Sequence, residues 1–278
     1  MKKIEKLIHF LEQYKYLRIL IASGKGFIEN KAFEKSSTLT FYTLLSLVPL
    51  LAISFGIAQS LGFEEKLADQ IKEQFASQPE VASKLIEFSY GTIKTTRGGL
   101  LASLGVIVLF WTVLNTVSNI AQYFNDIWKV KKPRSLWQRV KSFTPVILLL
   151  PIFLVGSSSI LVYLSTLASE IISPSLIIFF NFLSYLMSWG MLSFIYIYLP
   201  NTYVSWKAGF KAGIVTGIIF LIWQWIYMTF QVEAASYGVI YGSFAAVPLF
   251  LVWVNYSWLV ILFGAELCNY IQKEQEKY

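Results

Sequence analysis

Six apolar stretches, at about 37–61, 99–121, 143–168, 175–199, 208–230 and 244–270, limit this chain's folds more than any other feature. Each is close to the ~20 residues that a helix needs to cross roughly 30 Å of hydrocarbon. In lipid every backbone polar group must be satisfied within the protein, which leaves helices or a closed barrel. Barrel strands are shorter and alternate apolar with polar residues, and these stretches do not alternate. The predicted fold is therefore all-α: a polytopic integral membrane protein with six transmembrane helices in a single membrane domain over residues 1–278. Composition points the same way. Apolar residues make up 56% of the chain and charged residues only 14%, against about a quarter charged in soluble proteins. The mean hydropathy is +0.58. One soluble core could not hide so much apolar surface.

Basic residues set the expected orientation. Lys2, Lys3, Lys6, Lys15, Arg18, Lys25, Lys31 and Lys35 precede the first stretch. Lys129, Lys131, Lys132, Arg134, Arg139 and Lys141 follow the second, Lys207 and Lys211 follow the fourth, and Lys273 and Lys277 lie in the tail. With six spans all of these share one side. The other side holds Lys66, Lys72, Lys84, Lys94 and Arg97, interspersed with acids. The positive-inside rule then predicts that both termini are cytoplasmic. Orientation and attraction to anionic headgroups account for the net charge of +7, with no nucleic-acid partner required.

Two segments outside the spans are expected to be helical. Residues 1–35 read as a cytoplasmic amphipathic segment. Within it Ile4, Leu7, Ile8, Leu11, Tyr14, Leu17 and Ile21 recur every three or four residues, as on a helix lying on the membrane surface. Residues 62–98 read as an outer loop of one or two short helices broken near Pro79. The lone Cys268 excludes an internal disulfide, and the sole histidine is His9. Residues 1–35 mix charges throughout and lack the continuous apolar core of a cleavable signal peptide.

Polar residues inside the spans carry the functional information, because they are costly in hydrocarbon. At about 100° per residue, Asn115, Asn119, Gln122 and Asp126, in the inner half and exit of the second span, fall within roughly 60° of one another, and Trp111 extends the stripe. Asn255, Glu266 and Asn269 make a similar stripe on the sixth. Such stripes either line a cytoplasm-facing cavity or hold helices together by hydrogen bonds. Glu266 is the one acid within an expected span. Pro49 and Pro248 are candidate helix kinks. Gly209, Gly213 and Gly217 form a small-residue ridge suited to close helix approach.

Several fragments, in order and in register over about 35–270, resemble the YihY/BrkB family of bacterial inner-membrane proteins. They are Leu39-Thr40-Phe41-Tyr42-Thr43-Leu44-Leu45-Ser46-Leu47-Val48-Pro49-Leu50, Phe124-Asn125-Asp126-Ile127-Trp128 with Lys132-Pro133, Trp137 and Arg139, and Tyr198-Leu199-Pro200-Asn201 before Trp206. The most telling are Tyr241-Gly242-Ser243-Phe244-Ala245-Ala246-Val247-Pro248-Leu249 and, further on, Leu262-Phe263-Gly264-Ala265-Glu266. The resemblance implies six spans with both ends inside, location in the bacterial inner membrane, and a link to envelope lipid biology and serum resistance. It also marks Asn125, Asp126 and Glu266 as motif positions. The family once carried the label of a tRNA-processing ribonuclease. Nuclease chemistry usually needs clustered metal-binding carboxylates or histidines, and this sequence offers no such cluster.

The function expected is that of a transporter or flippase-like protein for a lipid or another amphiphilic envelope component. The alternative is a non-transporting scaffold or envelope-assembly factor. Asn115, Asn119, Gln122, Asn125, Asp126, Asn255, Glu266 and Asn269 are candidates for a substrate path. Lys131, Lys132, Arg134 and Arg139 suit lipid-headgroup phosphates. No catalytic residue, cofactor or metal is expected. Membrane lipids are the expected partners, together with a second copy or an envelope protein.

Overall fold

The computed structural model describes residues 15–60, 62, 64–74, 82–87, 90, 100–132, 134–148, 174–236 and 246–276. Among the described residues the regular structure is all helix. In chain order the helices are α1 (Lys15–Glu29), α2 (Ala32–Ser60), α3 (Glu64–Gln74), α4 (Leu100–Ile127), α5 (136–148), α6 (Pro174–Tyr198), α7 (Trp206–Ser236) and α8 (Ala246–Gln275). A short helical piece over 82–87 follows α3.

Four of the helices contain stretches long and apolar enough to cross a membrane: Ala32–Gln59, Ile107–Ile127, Trp206–Phe230 and Pro248–Gln275. They match the first, second, fifth and sixth expected spans. The fourth corresponds to α6, a helix of 25 residues. Most of the third lies outside the described residues, and α5 supplies its beginning. Residues 1–14 and the expected break at Pro79 also lie outside them.

Helix α8 organises the molecule by packing against α1, α2 and α7, with smaller contacts to α4 and α6. Its buried Leu262, Ala265, Leu267 and Cys268 join Leu39, Leu114, Phe124, Phe143, Ile147 and Tyr196 in the main core. Chain reversals pin one end of the bundle. Lys31 and Lys129 both have positive φ, 53° and 54°, the left-handed conformation that closes many helix C-termini. After α4, Val130 N donates to Asn125 O at 2.9 Å and Lys129 N donates to Asp126 O at 3.0 Å. This is the Schellman pattern, and it satisfies two carbonyls that the helix leaves open. At the other end Phe55 packs with Ala58, Leu67, Ala68, Ile71 and Ala82, so α3 and the 82–87 piece cover the end of α2.

Two local expectations read differently in three dimensions. The amphipathic helix was expected over 4–21 on a membrane surface, but α1 continues to Glu29 and rests on α8. Ala22, Ser23 and Gly26 give it a small-residue face, and Ser23 is fully buried. Such a face suits close contact with another helix better than insertion among headgroups. Pro49 lies within α2. Pro248 lies in the first turn of α8, where a missing N–H costs nothing and no kink is required.

Candidate functional site

The stripe of Asn115, Asn119, Gln122 and Asp126 occupies the outward side of α4. Val113, Leu114, Thr116, Ala121, Phe124 and Ile127 are buried, and they surround the side roughly 180° from Asn115. Asn115 and Asn119 are half-buried, while Trp111, Gln122 and Asp126 are exposed. The stripe runs roughly 22 Å along the helix from Trp111 to Asp126. It ends beside Lys129, Lys131 and Lys132, all exposed.

The polar residues of α8 do the opposite and tie helices together. Asn255 Nδ2 reaches Ser36 Oγ, Ser37 Oγ and Thr40 Oγ1 of α2, each at 3.4 Å. Trp258 Nε1 donates to Thr43 Oγ1 at 2.9 Å. Asn269 Nδ2 donates to Ile127 O at 3.0 Å, capping a last-turn carbonyl of α4. Gln272 accepts from Ser205 N at 3.2 Å and donates to Tyr203 O at 3.1 Å. Sequence reasoning singled out Asn255 and Asn269 but not Gln272, which lies among the charges of the tail.

Glu266 is 1% exposed. Its Oε1 accepts from Asn30 Nδ2 at 2.6 Å, and its Oε2 has no hydrogen-bond partner. Gly26 of α1 lies directly against it, because a Cβ there would sit 2.7 Å from Oε2 and 2.9 Å from the Tyr270 ring. Further along α1, Arg18 forms an ion pair with Glu274. Arg18 and Ala22 of α1 and Tyr270, Lys273 and Glu274 of α8 line a cleft of about 430 Å³. Asn30, Gly26 and Arg18 escaped the sequence reading because their partners lie more than two hundred residues away along the chain.

An ion pair joins α2 to α4: Lys35 Nζ lies 3.1 Å from Asp126 Oδ2, with side chains 14% and 48% exposed. The Lys35 ammonium also sits over the Tyr123 ring at 5.4 Å. Asp126 is thus engaged across helices while remaining half open. Its neighbour Asn125 accepts from Asn201 N at 2.6 Å, joining the α4 and α6 ends. Within the basic loop, Arg134 donates to Leu199 O at 2.8 Å and Pro200 O at 3.3 Å. Arg139 Nε donates to Arg134 O at 3.1 Å. Partial burial lowers the Arg134 guanidinium from its usual value, although arginine remains protonated in proteins. Among the described residues, no three of His, Cys, Asp and Glu come together as metal ligands would.

Residues 24–278 match the model of the family described as virulence factor BrkB. The chain belongs to the BrkB family. Its relatives in that family include UPF0761 membrane proteins. One, from Janthinobacterium sp., is 29% identical over 87% of this chain and 57% of its own length. Another, from Laribacter hongkongensis, is 32% identical over 86% and 58%. One from Haemophilus influenzae is 26% identical over 91% and 94%. The chain therefore spans less than two thirds of several longer BrkB relatives and nearly all of a shorter one. No solved structure matches it. With apolar helices of spanning length and relatives named as membrane proteins, this BrkB chain is a membrane protein.

Proposed function

We propose that this BrkB-family chain is a six-span, multi-pass protein of the bacterial inner membrane, with both ends cytoplasmic, that acts as a flippase-like transporter of a lipid or similar amphiphile. Connectivity supports the span count. The start of α2, the ends of α4, α6 and α8, and the starts of α5 and α7 meet at one end of the bundle. They are joined there by the contacts of Lys35, Asn269, Asn201, Arg134 and Gln272. Each departure from that end is matched by a return. The same end carries Lys129, Lys131, Lys132, Lys141, Lys207 and Lys211, which suits the cytoplasmic face.

The observation that carries the transport reading is the outward stripe of α4. Polar side chains turned away from the core of a spanning helix are expensive in hydrocarbon. A polar headgroup sliding along Asn119 and Asn115 would find hydrogen-bond partners while its acyl chains stayed in lipid. Lys131 and Lys132 lie where the path opens, and their free ammonium groups suit phosphate. Arg134 and Arg139 are occupied by backbone carbonyls and have less to offer. This role needs no enzymatic step, no cofactor and no nucleic acid.

The test is movement of headgroup-labelled lipids in proteoliposomes, comparing the native chain with Asn115→Leu, Asn119→Leu and the double variant. Movement above empty vesicles is expected for the native chain, with a loss of about thirtyfold in the double variant, which removes two hydrogen-bonding groups worth about 1 kcal/mol each. No movement with any headgroup would reject the proposal. The scaffold reading draws support from the α8 contacts, which join helices to one another. It predicts no lipid movement, together with a protein partner or second copy that crosslinks to the α4 stripe.

A further inference from the structure

The α4 stripe and the basic loop are absorbed by the reading above, but the buried carboxylate between α1 and α8 is not. We propose that Glu266 is a proton-binding site that holds a proton while α1 is docked on α8 and loses it to water when α1 lifts away. The proposal stands whether or not the chain moves a lipid.

Three observations carry it. First, Glu266 is almost fully enclosed, its hydrogen-bond partner is the neutral Asn30 amide, and Oε2 has no partner. Burying a carboxylate is tolerable when it is paired or neutralised and costly otherwise. The surrounding charges have other engagements. Lys35 of α2 is held by Asp126 of α4 at 3.1 Å, and Lys273 of α8 lies over the Tyr270 ring at 4.8 Å. Glu29, on α1, is exposed.

Second, the space beside Oε2 is filled. A single added carbon on Gly26 would approach it to 2.7 Å. A further side-chain group does not fit between Gly26 and Oε2, whereas a proton needs no room and removes the charge. Third, the groups that cover the carboxylate, Gly26 and Asn30, belong to α1 and the turn that ends it. Lifting α1 exposes Glu266 to water, where its anion is solvated. Proton release and undocking are therefore linked. The Arg18–Glu274 pair lies more than two turns away along α1 and keeps that end tethered.

The experiment uses the full chain in lipid nanodiscs and two readouts. Infrared difference spectra should contain the carbonyl stretch of an un-ionised carboxylic acid that is absent from Glu266→Gln. Hydrogen exchange of α1 backbone amides, corrected for intrinsic chemistry, should then be followed with pH. As pH rises past the ordinary carboxylate range, where the undocked carboxyl ionises, native α1 protection should fall by up to about tenfold per pH unit until docked Glu266 itself loses its proton, the slope for one linked proton. Glu266→Gln, neutral at every pH, should keep α1 docked and show a flat profile. A native profile that is itself flat would overturn the proposal without reference to any variant. So would an acid band that survives in Glu266→Gln, or a variant that retains the native pH dependence.

Discussion

The guanidinium of Arg134 donates to Leu199 O and Pro200 O and lies over the Phe143 ring at 5.0 Å. It thus closes the C-terminal end of α6, where the last carbonyls have no partner within the helix. Arg134→Gln should lower unfolding stability by about 1–3 kcal/mol, the range for leaving such acceptors unsatisfied. Lys131→Gln and Lys132→Gln, at exposed positions, should stay within about 0.5 kcal/mol of the native chain. Thermal unfolding in detergent compares them, and equal effects from all three would contradict the assignment. In the sequence Lys131, Lys132, Arg134 and Arg139 look alike, because one cluster of charges serves topology, headgroups and capping equally well. Which arginine turns inward is decided by a carbonyl some sixty-five residues away, and local spacing has no access to that. Asn255, Glu266 and Asn269 were legible for a simpler reason: a polar side chain on an apolar helix stands out before its partner is known.

Helices α6 and α7 show the same division one level up. Gly209, Gly213 and Gly217 form a ridge at four-residue spacing that meets Ile197, Ser193 and Trp189 of α6 in turn. A Cβ on Gly213 would lie 2.9 Å from both Ser193 N and Trp189 O, backbone atoms that cannot step aside. Gly213→Ala should therefore force the helices apart and cost about 1–3 kcal/mol, as overpacking does. Gly190, on α6, has nothing within 4 Å of its would-be Cβ, so Gly190→Ala should leave stability unchanged or raise it by up to about 1 kcal/mol. Detergent unfolding curves for the pair decide the matter, and a harmless Gly213→Ala would show that the two helices do not approach this closely. The ridge was readable because small residues repeat at helical period. The seat of α1 was not, because amphipathic periodicity identifies an apolar face without saying whether lipid or another helix covers it.

At the scale of the whole molecule, the strongest constraint is that so many helix ends gather in one place. The α2 segment of 29 residues is about 43 Å long, enough to cross a bilayer with turns to spare. Its far end is covered by α3, whose Asp69 and Lys72 are exposed. Its near end shares a hydrogen-bonded knot with α4, α8 and the segment between α6 and α7. If the knot is the cytoplasmic face, cysteines at Lys131, Tyr203 and Glu276 must all be reached from that side and one at Asp69 from the other. The native chain offers a clean background, since Cys268 is its one cysteine and is buried; Cys268→Ala removes it. A membrane-impermeant thiol reagent applied to intact cells should label only the Asp69 site, and opening the cells should expose the other three. Tyr203 is the discriminating position, because it lies between α6 and α7, after the region where the third and fourth crossings are expected. Labelling of Tyr203 from the same side as Asp69 would mean an odd number of crossings between Lys131 and Tyr203. The chain could then not place the ends of α4 and α6 side by side, and the Asn125–Asn201 hydrogen bond could not form.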